Sequence, residues 1–304
     1  EAKQNSKSAQ AYLNFLINQK LDAKIEIDKD NILVPIDFSK SSEFACKMAA
    51  KIAKKSESSV YLLHIIELPS GMADMGSRSN FSIPESMLYL RKIKERIIDF
   101  KERFFSENQE VHHLIRFQNP FEGILACADK INADLIIMGS KGHSDFEEIL
   151  IGSNTEKVVR KSTIPVLVVK KDNDNIEFKN VVFASSFKNE DKKDVLRKLL
   201  EIALIFESTI HLLKVTTPSN FESTFEATKK IKEFIAEFDL PKHSITIYND
   251  VSIEKGILNF SREINADLIA LSTHGRSGLS HLFSASVTKN LSKSGLKPML
   301  TIRV

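Results

Sequence analysis

The chain has 304 residues, 42% hydrophobic and 27% charged, the balance of a protein that folds around a core and not of a disordered chain. Its 43 Lys+Arg against 40 Asp+Glu leave a net charge of +3, which gives no electrostatic footprint for nucleic acid. No apolar run reaches the length of a membrane-spanning helix, and no signal-peptide pattern opens the chain, so no membrane insertion is expected.

The sequence begins at Glu1 without an initiator Met, as a processed chain or a piece of something longer does. In residues 1–30, Tyr12, Leu13, Leu16, Ile17 and Leu21 recur at helical spacing and predict an extra helix. From residue 31 the pattern changes. "NILVPI" and "VYLLHII" are short and apolar throughout, as strands buried on both faces are. Between them "SSEFACKMAAKIAKKS" carries Phe44, Met48 and Ile52 at helical spacing with lysines opposite. A long insert, "SGMADMGSRSNFSIPESMLY" (70–89), leaves the second strand and reads as a loop that covers a site. "VHHLIRF" is a strand, "FEGILACADKI" a helix, "DLIIM" a strand, "NTEKVVRKS" a helix and "PVLVV" a last strand. Alternating strands and helices predict a parallel sheet covered on both faces, the doubly wound α/β class. Cys46 and Cys127 fall inside helical segments and read as buried thiols, which suits a reducing cytoplasm.

The same order of blocks then recurs. "INADLIIMGSKGHS" (131–144) returns as "INADLIALSTHGRS" (264–277), "VYLLHIIELP" as "TIHLLKVTTP", and "IPVLVVK" as "KPMLTIRV". The polar run "KKDNDNIE" (170–177) reads as the linker. The expected organisation is an N-terminal helical extension over 1–30, a first domain over 31–171 and a second over 176–304. Both closing strands are apolar, and each is an aggregation hazard if left uncovered at a sheet edge. Pairing with each other would remove that hazard and make a pseudo-twofold dimer within one chain.

In a doubly wound sheet, ligands bind beyond the carboxyl ends of the strands. "DLIIM" ends at Met138, so the run "GSKGHSDFEEILIGS" (139–153) begins in that crevice. Gly139 is expected to allow positive φ or close ligand approach. Gly152-Ser153 precedes a helix whose N-terminal N–H groups suit a phosphate, although Ser153 could equally serve as an N-cap. Asp37 follows the first strand, where it faces the crevice or caps a helix.

The spacing Gly139-x2-Gly142-x9-Gly152-Ser153 resembles the ATP-binding signature G-x2-G-x9-G-[ST] of the universal stress protein family. "NILVPIDFS", "ADLIIMGSKG" and "IPVLVVK" are similar to the first, fourth and fifth strands of that family. The resemblance runs from about Asn31 onward, in two copies. It implies two tandem domains with the adenine nucleotide alpha hydrolase-like fold, related by a pseudo-twofold axis. It also implies a cytoplasmic stress-response module that binds ATP or a related adenine nucleotide, with magnesium as its counter-ion. Carried over by residue, Asp37 contacts adenosine, the Ile65 backbone meets adenine, and Gly139, Gly142, Gly152 and Ser153 hold ribose and phosphates. His143, which follows Gly142, reads as a phosphate-side cation or a solvated surface residue, and Asn154 stands beside Ser153. Gln118 stands before Asn119-Pro120 where the family often has Gly, a departure at the rim.

The second copy reads "STHGRSGLSHLFSAS" (272–286). Ser272 and Ala285 replace the first and third glycines, Gly275 and Ser286 remain, and Ser186 replaces Asp37. That copy is expected not to bind ATP in the family's way. No Walker-type run and no paired metal ligands appear, so no catalysis is expected beyond slow hydrolysis of bound ATP. The competing reading is an interaction or accessory module without nucleotide, including the soluble regulatory part of a larger protein. A protein partner and a further homodimer are expected under either reading.

Overall fold

The computed structural model describes residues 30–67, 83–140, 152–169, 177–187, 193–273 and 297–303. The first half runs β1 (Asn31–Pro35), α1 (Lys40–Ser56), β2 (Ser59–Ile66), α2 (Ile83–Phe104), β3 (Val111–Phe117), α3 (Pro120–Lys130), β4 (Leu135–Gly139), α4 (Ser153–Lys161) and β5 (Val166–Val169). The second half runs β6 (Asn180–Ala184), α5 (Lys193–Phe206), β7 (Thr209–Thr216), α6 (Thr224–Ile235), β8 (His243–Asn249), α7 (Ile253–Glu263), β9 (Leu268–Thr273) and β10 (Met299–Arg303). The expected doubly wound α/β class is present in both.

The elements follow from local chemistry. Ser39 caps α1 by accepting from the Ser42 N–H, and Asn119 caps α3 by accepting from the Phe121 N–H, with Pro120 fixing the first turn. The sequence reading misplaced one element. The insert 70–89 is not a loop throughout, because α2 begins at Ile83 and runs for 22 residues. Ile93, Ile97 and Phe100 recur at helical spacing and are buried, which holds this helix on the sheet. The proposed extension, 1–29, lies outside the described residues, as do 68–82 of the insert.

All the strands form one sheet in the order β3-β2-β1-β4-β5-β10-β9-β6-β7-β8. Within each half the pairing is parallel, and β5 meets β10 antiparallel. The register at the join is Met299 against Val168, Leu300 against Leu167 and Thr301 against Val166. Leu167 and Leu300 occupy the same place in the two repeats, so a pseudo-twofold axis passes between them. The anticipated pairing of the last strands is therefore the join between the halves.

One continuous apolar core lies on each face of the sheet. α1, α2, α5 and α6 cover one face, and α3, α4 and α7 cover the other. Cys46 belongs to the first core and Cys127 to the second, so the sheet separates the two buried thiols. At the join α1 meets α5, where Lys55 Nζ donates to the Ile205 carbonyl at 3.2 Å and lies 5.1 Å from the Phe206 ring centroid. Among the described residues no helix is long and apolar enough to cross a membrane.

The repeat extends to backbone strain. Among the described residues the non-glycine residues with positive φ are Phe38 and Phe187, Glu57 and Glu207, and Asn132 and Asn265, three pairs of matching positions. The Asp134 carboxylate accepts from the Asn31 N–H, and the Asp267 carboxylate accepts from the Asn180 N–H. The strongly repeated "INADLI" block thus ties β4 to β1 and β9 to β6 at the amino end of the sheet, opposite the crevice.

Leu167 and Leu300 are fully buried at the join. Leu300→Ala is expected to cost about 2–5 kcal/mol. Urea unfolding should show the loss, and the two halves should begin to unfold separately, because the residue belongs to the join and not to one repeat.

Candidate functional site

The strand order of the first half reverses between β1 and β4, beyond whose ends sheets of this class bind ligands. Asp37 stands just past β1. Its Oδ1 accepts from the Ser39 N–H at 3.0 Å, so Ser39, and not Asp37, is the helix cap. Ile65 lies in β2 near its end, opposite Arg116 of β3. Its side chain points away to α3, where a Cβ on Gly123 would come 2.7 Å from Ile65 Cδ1.

Gly139 is the last residue of β4, paired with Val169, and not the first residue of a loop. Its φ lies outside the left-handed region, and a Cβ there would sit 2.6 Å from the backbone and Cβ of Ser41. The expectation of positive φ is corrected: this glycine is required because the start of α1 presses on the end of β4. Neither residue signals this locally, since Ser41 is 98 positions upstream.

The chain leaves β4 at Ser140 and returns at Gly152, whose N–H donates to the Ser140 carbonyl at 2.6 Å. Thr155 Oγ1 in the first turn of α4 donates to the Gly139 carbonyl at 3.0 Å. Two ends of the glycine motif that are thirteen residues apart in sequence are thus side by side. Gly142 and His143, between them, lie outside the described residues. Gly152 is the N-cap of α4 with φ −67°, and Ser153 is the first helical residue, exposed to solvent. The helix starts without a side-chain cap hydrogen bond, whereas α1, α3, α6 and α7 each have one. Asn154 follows Ser153, half-buried. Ser140 was missed by sequence reasoning. It is 2% exposed, and its Oγ has no hydrogen-bond partner among the described residues. A buried hydroxyl left so is costly unless something else binds it.

His64, the residue before Ile65, was missed by sequence reasoning. It is half-buried at the end of β2, with Nδ1 2.8 Å from the Ile36 carbonyl. Burial lowers its pKa below the usual histidine value, assisted by Arg96 and opposed by the Ile36 hydrogen bond and Asp37. The rim of the second half is built otherwise. Lys214 replaces His64 and is buried in contact with Glu222, which also binds Lys230. Ser186 stands at the Asp37 position, and Ser272, the next-to-last residue of the matching strand, pairs with Ile302. Gly275, Ala285 and Ser286 lie outside the described residues.

Comparison with known proteins follows the same division. The profile of the universal stress protein family matches residues 29–170 and again 177–303. A universal stress protein of Methanocaldococcus jannaschii, MJ0577, is 33% identical over 154 residues, covering 47% of this chain and 95% of that protein. The stress response protein NhaX of Bacillus subtilis is 28% identical, covering 46% of this chain and 98% of its own. Among solved structures, a universal stress protein from Archaeoglobus fulgidus superposes with a TM-score of 0.66 at 20% identity. It covers 90% of this chain and 96% of its own, which is a likeness of the tandem fold.

Gly139→Ala is expected to destabilise the fold by about 1–3 kcal/mol, read as a lower melting temperature without any ligand present, because the added methyl group meets the backbone of α1. The histidines set a second expectation. His64 and His211 both have pKa values lowered first by burial, so the fold prefers their neutral forms. The stability they contribute is complete above their unfolded value, near 6.5, and is lost as pH falls below it. The melting temperature should therefore drop between pH 7.5 and pH 5.5, and less steeply in His211→Gln.

Proposed function

Because this chain belongs to the universal stress protein family, matched over both of its halves, we propose that it binds ATP in its first half and works as a nucleotide-dependent regulatory module of a stress response. The observation that carries the reading is the return of Gly152 onto Ser140. It sets the uncapped start of α4 beside the end of β4, at the place where the strand order reverses. The N–H groups at a helix start carry partial positive charge and are suited to phosphate oxygens.

The residues fit such a group. Ser140 offers a buried hydroxyl that has no partner among the described residues, and Ser153 offers an exposed one in the first turn. In this reading the N–H groups and hydroxyls around Gly152, Ser153 and Asn154 receive phosphates, together with Gly142 and His143. Asp37 accepts from the ribose side of the nucleoside, and the Ile65 backbone borders the base. The nucleotide supplies binding energy and a two-state signal, bound or empty, with magnesium as its counter-ion. The second half, with Ser186 and Lys214 at the matching positions, lacks the carboxylate and carries a cation that is already paired. Its role is to complete the sheet and the internal pseudo-dimer, and the domain limits follow the notional boundaries 31–171 and 176–304.

The test is to unfold freshly purified protein, identify released nucleotide by mass spectrometry, and titrate ATP against the melting temperature. About one equivalent per chain is expected, with a stabilisation of about 2.7 kcal/mol when ATP is present at 100 times its Kd. Asp37→Ala and Gly152→Ala should lose most of it. Gly152 is the better glycine to change, since its φ of −67° suits any residue. Two equivalents would give the second half a site of its own. No nucleotide and no shift would favour an interaction module.

A further inference from the structure

The turn that carries Asp37 is held from the side by one imidazole. A carbonyl can only accept, so the 2.8 Å contact fixes the His64 proton on Nδ1, donating to the Ile36 oxygen. The same ring lies against Phe38, with centroids 4.6 Å apart. Phe38 has φ 64°, a conformation that costs a non-glycine residue about 1–2 kcal/mol. It is fixed there on three sides: by His64, by Phe100 edge-on at 5.2 Å, and by the Arg96 guanidinium 4.0 Å from its centroid. That left-handed residue bends the chain between Asp37 and Ser39, whose N–H is bound to the Asp37 carboxylate. Ile36 in turn is anchored to the same strand as His64, its N–H donating to the Leu63 carbonyl at 2.8 Å.

The second half provides an internal control. Phe187 repeats the left-handed turn with φ 54°, packed on Phe183 and Phe234 at 5.7 and 5.3 Å. Among the described residues no imidazole stands there, because the His64 position is Lys214, held by Glu222. The fold can therefore make this turn without a histidine. Where the carboxylate becomes Ser186, the histidine is replaced as well. The imidazole goes with the carboxylate and not with the turn.

We propose that His64 is a positioning residue for the first-half site. It acts through the Ile36 carbonyl and the Phe38 ring to fix the Asp37 carboxylate at the crevice rim for the nucleoside. The inference rests on the nucleotide reading of the same crevice. Two readouts separate the ideas: exchange of the Ser39 amide hydrogen followed by NMR without nucleotide, and ATP affinity by calorimetry.

His64→Leu keeps bulk and removes the donor, while His64→Asn keeps an N–H near the place of Nδ1. Circular dichroism and melting curves establish that each variant is folded. In His64→Leu, Ser39 exchange should rise roughly tenfold relative to that of Ile97 in the core, and ATP binding should weaken by about tenfold. His64→Asn should recover most of both. In an Asp37→Ala background, His64→Leu should weaken ATP binding no further. Unchanged Ser39 exchange in His64→Leu overturns the proposal, and so does an equal affinity loss with or without Asp37. If the wild-type chain binds no ATP, the nucleotide reading fails, and with it the nucleoside part of this role. The Ser39 exchange then still decides whether His64 holds the carboxylate.

Discussion

The structure depends on three residue pairs between β5 and β10. Each half alone would end in a short, apolar, unpaired strand, which is a template for aggregation. The two ends satisfy each other because an antiparallel pair is self-complementary under a twofold axis, and duplication guarantees two near-equal partners. Leu167 faces Leu300, its own counterpart, and the Thr301 hydroxyl donates to the Val166 carbonyl within the same short ladder. The outcome is one sheet with a continuous core on each face, so the halves share apolar cover in addition to a linker.

That join leaves the two crevices free to diverge. The blocks that stayed alike serve the amino end of the sheet and the helix ends: the paired Asn and Asp contacts, and the three pairs of left-handed residues. Change has gathered at the carboxyl ends of the strands. There the first half carries Asp37 and His64 where the second carries Ser186 and Lys214. Likeness between the halves therefore measures the fold, and difference between them measures the site. A Lys214–Glu222–Lys230 cluster at the second rim is a charge arrangement with its own partners, far from the neutral imidazole of the first.

The glycines illustrate why a motif is not yet a mechanism. Gly139 is forced by a helix start pressing on a strand end, and Gly123 and Gly256 by the side chains of Ile65 and Val215. Gly152 is different: its backbone would suit any residue, and it opens a helix that has no side-chain cap. Of the signature's described glycines, Gly139 is explained by packing and Gly152 is not. The spacing rule cannot separate them.

Sequence by itself determined the duplication and the α/β class, since these follow from short-range periodicity and from the order of blocks. It also anticipated the partnership of the closing strands, because an apolar edge must be covered. It did not reveal that α2 starts inside the insert, although Ile93, Ile97 and Phe100 carry the period that marks it. It could not assign Gly139 to Ser41, cap α1 with Ser39 in place of Asp37, show that the Ser140 hydroxyl is buried, or set His64 beside the turn of Asp37. Each of these is a contact between segments that are distant in sequence, or a choice between adjacent polar residues. Only the folded arrangement brings such groups within hydrogen-bonding or van der Waals range, so only the tertiary structure could decide them.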